Sequence, residues 1–394
     1  MSEKAALLWP FKYKDFEDTF EIQIKWITKA LQHHGYTVYK PYDFECDIED
    51  VENPPWSPDW QDGLLPPSAH FDVIVYSHSD MSEIKNRERH NRPGNGYIDF
   101  PPPTITTDKT WVFKGCSPPE PLSATLDSLG YGSYSSITYN KPPFESVRDK
   151  QWIEFYDTKV KKWIENNECK WGENIFEEEL INEDDYYLIL GQCPHDAVLT
   201  RQDFGGFFEK IYHITDELLR ASRKRRILIK LHPYTNGAPA IEARKLGKEA
   251  DYNHKVNPYL MLPSPPGSKY RDGEDVAGPL AGYLEGMDKK RVKVYRGFES
   301  IHSFLPKAKC VFTGNSGCGF DAMMYDVPII SFCQPEYHWV TYDLRKKCDI
   351  RRAIDTDEWF EPDKAKKFLY WFSEKYCFYN LKMAKRRIEE LMEE

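Results

Sequence analysis

Thr313-Gly-Asn-Ser-Gly-Cys-Gly-Phe320 lies between the apolar run Cys310-Val-Phe312 and the segment Asp321-Ala-Met-Met324. A short β-branched and aromatic run, a turn of glycines and small polar residues, and then a helix-compatible stretch give the order strand, turn, helix. Such a turn gathers backbone N–H groups at the positive end of a helix, and glycine lets the backbone come close to an anion. Thr313, Asn315 and Ser316 could add side-chain hydrogen bonds, so Thr313, Gly314, Asn315, Ser316 and Gly317 are candidate contacts to a phosphate. The plainer alternative is a strand-to-helix turn that uses glycine only for its backbone freedom.

Working outward, Ile227-Leu-Ile-Lys-Leu-His-Pro233 places His232 just past the carboxyl end of a buried strand, with Lys230 beside it and Pro233 fixing the chain direction. Open α/β sheets bind ligands at that end of their strands. An imidazole and an ammonium there suit a phosphate oxygen and the charge of a departing nucleotide. Upstream, Tyr186-Tyr-Leu-Ile-Leu-Gly191 reads as another strand, and the loop after it brings His195 and Asp196 to the same edge. Asp196 is the candidate carboxylate, unless it serves only as a loop or helix-capping residue. With a helix over about 206–222 and further strands at 292–295, 310–312 and 328–332, this half is a doubly wound α/β sheet.

The first half repeats the pattern. Leu7-Leu-Trp-Pro10, a helix near Phe20 to His33 and Gly35-Tyr-Thr-Val-Tyr39 form a β-α-β unit, and Phe71–Tyr76 and Trp111–Phe113 are two more buried strands. Pro- and Gly-rich loops fill about 54–103, a helix is expected over 152–167, and the acidic stretch 173–185 reads as the passage between domains. The expected domains are therefore 1–182 and 183–362, followed by a helical tail over 363–394. In Pro118-Pro-Glu-Pro-Leu-Ser-Ala-Thr-Leu-Asp-Ser-Leu-Gly-Tyr131, Glu120, Ser123 and Asp127 could face a cleft, with Glu120 the acid/base candidate. Equally, Ser123 could cap a helix with Asp127 inside it.

The 394-residue chain is long enough for two cores, and its 40% hydrophobic and 15% aromatic content is globular. A net charge of -10 speaks against a nucleic-acid partner. Nine scattered cysteines without a CxxC pair read as reduced thiols in a cytoplasm. No apolar run is long enough to span a membrane, and no Walker loop, HExxH or zinc spacing occurs, so no metal or other cofactor is expected.

Several segments, in order, resemble the capsule-polysaccharide biosynthesis transferases, which include the retaining β-Kdo transferases that use CMP-Kdo. Leu190-Gly-Gln-Cys-Pro-His-Asp196 is similar to that family's Gly-Gln-x-x-x-Asp segment, and Lys230-Leu-His-Pro233 to its His-Pro motif. Thr313 to Phe332 is similar to its Ser-x-x-Gly-Phe-[Asp/Glu]-Ala segment, and Pro121 to Tyr131 to the stretch that ends its first domain. The family's acidic Glu-Asp-Gly-Phe element would fall on Phe113-Lys-Gly-Cys116, which holds no carboxylate, leaving Glu120 the nearest substitute.

The resemblance implies a GT-B-like fold, in which two Rossmann-like domains face a central cleft and the last helix packs back across the first domain. It implies a nucleotide-sugar donor, CMP as leaving group without a metal, and a surface-polysaccharide acceptor in capsule or lipopolysaccharide. Gln192, Lys230, His232, Pro233 and residues 313–317 would bind the nucleotide, with Asp196 as nucleophile. The basic residues Lys364, Lys366, Lys367, Lys382, Lys385, Arg386 and Arg387 would suit peripheral contact with the cytoplasmic face of an inner membrane, although Glu389, Glu390, Glu393 and Glu394 dilute them. The Gly-Asn-Ser segment is also similar to the hydrolysing UDP-sugar 2-epimerases. A non-catalytic nucleotide- or glycan-binding module is the remaining alternative.

Overall fold

The computed structural model describes residues 4–9, 17–39, 69–77, 105–169, 185–192, 207–232, 277–296, 299–344, 350–356 and 358–394. They fall into two compact units. One holds the described residues of Met1–Cys116, Leu122–Tyr139 and Glu374–Glu394, the other those of Ser117–Pro121 and Asn140–Ser373. Each carries an α/β sheet with parallel strands, the two Rossmann-like sheets expected from sequence.

The first sheet has the order β2-β1-β3-β4-β5, built from β1 (Lys4–Trp9), β2 (Tyr36–Tyr39), β3 (Ala69–Ser77), β4 (Ile105–Ser117) and β5 (Glu120–Asp127). β1 to β4 are mutually parallel. Helix α1 (Glu17–His33) returns the chain from β1 to β2, and its Ile24, Ile27 and Leu31, at helical spacing, are buried in the core beside Ala6, Leu8, Val73 and Val75. β4 is longer than its apolar centre Trp111–Phe113 suggests, because the preceding Ile-Thr-Thr run is β-branched and pairs along β3.

Glu120–Asp127 forms strand β5, which corrects the capped-helix alternative for Ser123 and Asp127. Its backbone is held by tertiary partners: Gln23 Nε2 donates to the carbonyls of Leu122 and Ser123 at 3.0 and 2.9 Å, and Ala124 forms an antiparallel bridge with Phe378. The carboxylate of Asp127 is fully buried. It accepts from the amides of Leu129 and Gly130 at 2.8 and 3.1 Å, from the amide and hydroxyl of Ser136, and from the Tyr376 hydroxyl at 2.7 Å. A carboxylate saturated this way organises a turn.

The tail is helical in two pieces. A helix over Pro362–Trp371 and a π turn over Phe372–Tyr376 are followed by the helix Leu381–Glu393, whose start is capped by Asn380 Oδ1 accepting from the Met383 amide at 3.0 Å. The last helix lays Met383, Ala384, Ile388 and Leu391 into the first unit's core. Its Arg387 is buried against Asp127 and Glu390, while Lys364, Lys366 and Lys367 of the earlier piece pair with Glu361, Asp326 and Asp149.

Residues 140–169 cluster with the second unit, whereas the sequence partition at 182 grouped them with the first half. The reason is aromatic packing. Phe144 lies edge-on to Phe368 at 5.2 Å, Phe155 to Tyr370 at 5.5 Å, and the indole N–H of Trp163 donates to buried Asp321 at 2.9 Å.

The second sheet has the order β11-β10-β9-β6-β7-β8, with every neighbouring pair parallel. Its strands are β6 (Tyr186–Leu190), β7 (Ile227–Lys230), β8 (Val292–Tyr295), β9 (Ala308–Thr313), β10 (Ile329–Ser331) and β11 (Tyr342–Asp343). β6 and β7 are buried at every residue, which explains their unbroken apolar runs. The helix Phe207–Ala221 connects β6 to β7 and contributes Ile211, Ile214 and Leu218 to the core beneath them.

Candidate functional site

The chain runs β6, β7, β8 outward on one side and then returns to place β9 on the other side of β6. The order therefore reverses between β6 and β9, and open α/β sheets bind ligands at the carboxyl ends of the strands flanking such a reversal. One register line crosses that end of the sheet: Asp343, Ser331, Thr313, Leu190, Lys230 and Tyr295 are successive Cα partners. Two residues beyond this line stand Asn315, Gln192 and His232, on three adjacent strand ends. Strands about 4.8 Å apart put Asn315 and His232 roughly 10 Å from each other, a span that a phosphate and its attached groups can fill.

Gln192 joins the two strands at the reversal: its Oε1 accepts the amide N–H of Asn315 at 2.8 Å, and both residues are buried. On the other side of β6, Gly191 donates its amide to the Lys230 carbonyl at 2.7 Å. A Cβ on Gly191 would come within 2.8 Å of Leu231 Cα, so only glycine permits β6 and β7 to end this close together. Lys230 is buried at the last position of β7, and His232 is half-buried above it.

The glycine turn is organised largely by its own side chains. Ser316 donates its amide to Thr313 Oγ1 at 3.3 Å, and Cys318 donates its amide to Ser316 Oγ at 3.3 Å. The amides of Gly319 and Phe320 go to the carbonyls of Ser316 and Gly317 at 3.0 and 2.9 Å, opening the helix Cys318–Met324. The expectation of several free amides at this turn therefore needs correction: those of Asn315, Ser316, Cys318, Gly319 and Phe320 are engaged internally. The exposed side of the turn lies at Gly317, where a Cβ would meet nothing within 4 Å.

Asn315 is the exception to this saturation. Its side chain is buried, yet Nδ2 has no hydrogen-bond partner among the described residues. Leaving a buried amide N–H unmatched costs about 1–3 kcal/mol, so an acceptor placed beside Nδ2 would be favoured at this strand-order reversal.

Tyr337 was not legible as part of this site. It belongs to the connection after β10, and its hydroxyl donates to the Ser316 carbonyl at 2.6 Å. Burial and neighbouring acidic groups push its phenol well above the ordinary tyrosine range, while a bond from Thr313 opposes the rise, so it stays a neutral donor. The available signal was Gly319, whose missing side chain leaves room for the ring.

Glu120 does not join these strand ends through any described contact. It starts β5, where its carboxylate pairs with Lys159 at 3.3 Å. His195, Asp196 and Pro233 lie outside the described residues. Among the described residues no group of three or more His, Cys, Asp and Glu side chains is arranged to hold a metal ion, and no helix is long and apolar enough to cross a membrane.

No protein-family model and no curated protein matches the chain. Among solved structures it is similar to the β-Kdo 2,4-transferase of Thermosulfurimonas dismutans KpsC, at 11% identity and TM-score 0.47, covering 96% of this chain and 92% of that one. It is also similar to the β-Kdo 2,7-transferase of the same organism's KpsC, at 13% identity and TM-score 0.43, covering 99% and 100%. A UDP-GlcNAc 2-epimerase of Methanocaldococcus jannaschii, solved with UDP-GlcNAc and UDP, is similar at 13% identity and TM-score 0.33, covering 99% and 100%.

Proposed function

We propose that the chain is a glycosyltransferase whose second unit binds a nucleotide-sugar donor at the β9-β6-β7 strand ends, and that the donor is CMP-β-Kdo. The observation that carries the reading is the buried Nδ2 of Asn315 at the reversal point, which has no partner among the described residues, in a residue joined through its amide to Gln192. An anionic oxygen supplies the missing acceptor. The ammonium of Lys230 and the imidazole of His232, two strands away, offset the charge of the departing CMP in place of a metal ion.

A ulosonic acid leaves from a quaternary anomeric carbon that ionises readily, so stabilising the leaving phosphate is the larger part of the work. Asp196, four residues beyond Gln192, attacks that carbon and expels CMP, giving a glycosyl ester. The hydroxyl of a capsule or lipopolysaccharide acceptor, losing its proton to a base such as Glu120, then opens the ester with overall retention.

The test is intact-mass analysis after incubation with CMP-Kdo in the absence of acceptor, with CMP release measured after adding glycan acceptors. An adduct of one Kdo residue, lost in Asp196→Asn while CMP binding persists, is the expected result. Neither adduct nor CMP release would overturn the reading. Protection by UDP but not CMP, with acceptor-free turnover of a UDP-sugar, would instead assign a 2-epimerase.

A further inference from the structure

The side chains of Thr313 and Tyr337 hold one residue of the glycine turn by both its peptide groups. The Ser316 amide donates to Thr313 Oγ1 at 3.3 Å, and Tyr337 Oη–H donates to the Ser316 carbonyl at 2.6 Å. Thr313, Ser316 and Tyr337 are all buried.

Thr313 and Tyr337 hold the amide and the carbonyl of Ser316, and Gln192 holds the amide of Asn315 from the end of β6. The peptide positions on both sides of the Asn315 side chain are thus pinned from different strands. Tyr337 is held in turn by its edge-on contact with Phe320, at a centroid separation of 5.0 Å, and by the space that Gly319 leaves.

We propose that Tyr337 is a positioning residue for ligand binding: holding the Ser316 carbonyl while Thr313 holds the Ser316 amide, it sets this part of the turn so that the Asn315 carboxamide meets the anionic group of the nucleotide. This rests on the nucleotide-sugar reading above. It assigns Thr313 an inward structural bond rather than a contact to phosphate, and it gives a residue beyond β10 control over a turn that follows β9.

The experiment compares CMP and cytidine binding by calorimetry at 20 °C in wild type, Tyr337→Phe, Thr313→Val, Thr313→Ser and the Tyr337→Phe/Thr313→Val double variant, with unfolding midpoints measured without nucleotide. Tyr337→Phe should weaken CMP at least tenfold and leave cytidine within twofold, because only the phosphate-facing turn is released. Thr313→Val should match it, Thr313→Ser should bind like wild type, and the double variant should be no weaker than the worse single, since both bonds fix the same residue and losing either releases it. Equal losses of CMP and cytidine, additive losses in the double variant, or wild-type CMP affinity in Tyr337→Phe would each overturn the proposal while leaving the nucleotide reading intact. If Tyr337→Phe fails to fold, Thr313→Val against Thr313→Ser decides on the same criteria. Wild type that binds neither CMP nor UDP removes both readings together.

Discussion

Tyr337 occupies the space that a side chain on residue 319 would need: a Cβ there would stand 2.3 Å from both Cζ and Oη of the tyrosine. Real Cβ atoms do not approach other atoms so closely, and the ring is wedged beside Phe320. Gly319→Ala therefore overpacks a buried site and should cost about 1–3 kcal/mol, seen as a lower urea midpoint at unchanged slope. A midpoint equal to wild type would show that the ring can step aside.

Gly317 offers the opposite case within the same turn. Its φ of -57° and ψ of -27° are ordinary helical values, and a Cβ would meet nothing within 4 Å. Gly317→Ala should raise stability by about 0.4–1 kcal/mol by restricting the unfolded chain. If the ligand approaches this open side, the same methyl should weaken CMP binding, so stability and affinity move in opposite directions. Calorimetry alongside thermal unfolding reads both.

Gln192→Leu keeps the volume at the end of β6 but removes the acceptor for the Asn315 amide. That leaves a buried N–H unmatched, at a cost of about 1–3 kcal/mol. CMP affinity should fall at least tenfold, because the turn loses its tie across the reversal point. A variant that unfolds earlier yet binds CMP normally would reduce Gln192 to a stabilising role.

Much of the second unit was legible because its strands are buried on both faces and so read as continuous apolar runs that stop close to where the sheet stops. The strands Tyr186–Leu190 and Ile227–Lys230 each end one residue before the ends of the apolar runs Tyr186–Gly191 and Ile227–Leu231 that announce them. β5 was hidden for the converse reason. Ser123, Thr125 and Asp127 are polar but buried, the Ser123 carbonyl and the Asp127 carboxylate being matched by Gln23 and Tyr376, groups distant in sequence, and no local period marks that kind of burial. The Ser316–Tyr337 bond was hidden likewise, since it depends on β10 lying beside β9.

Asp127 should dominate the stability of the first unit. Its carboxylate serves the Leu129, Gly130 and Ser136 amides, the Ser136 and Tyr376 hydroxyls and the nearby Arg387, with no exposure to solvent. Asp127→Ala strands these donors and leaves a buried guanidinium short of charge, at a cost of about 3–5 kcal/mol. Asp127→Asn keeps one acceptor oxygen and should recover part of that loss. Urea unfolding followed by tryptophan fluorescence tests the order wild type, Asn, Ala; an alanine variant as stable as wild type would deny the carboxylate this role.

His302 gives the second unit a pH dependence whose sign follows from its burial. The ring is held between the Tyr325 hydroxyl at 3.0 Å and the Glu168 carbonyl at 2.8 Å, and desolvation lowers its pKa below the ordinary 6.5, with the carbonyl bond opposing only in part. Between that depressed value and 6.5 the unfolded chain binds more protons than the folded one, so stability rises with pH across this window. The contribution is fully present above 6.5 and is lost as pH falls through the window toward the folded value. His302→Gln, which can still hydrogen-bond but does not titrate there, should show a flatter profile. Subtracting its unfolding free energy from that of wild type between pH 7.5 and 5.5 isolates the group from the carboxylates, which titrate lower. A difference that is constant over this range, or that grows in favour of wild type as pH falls, would mean the imidazole is not held neutral in the fold.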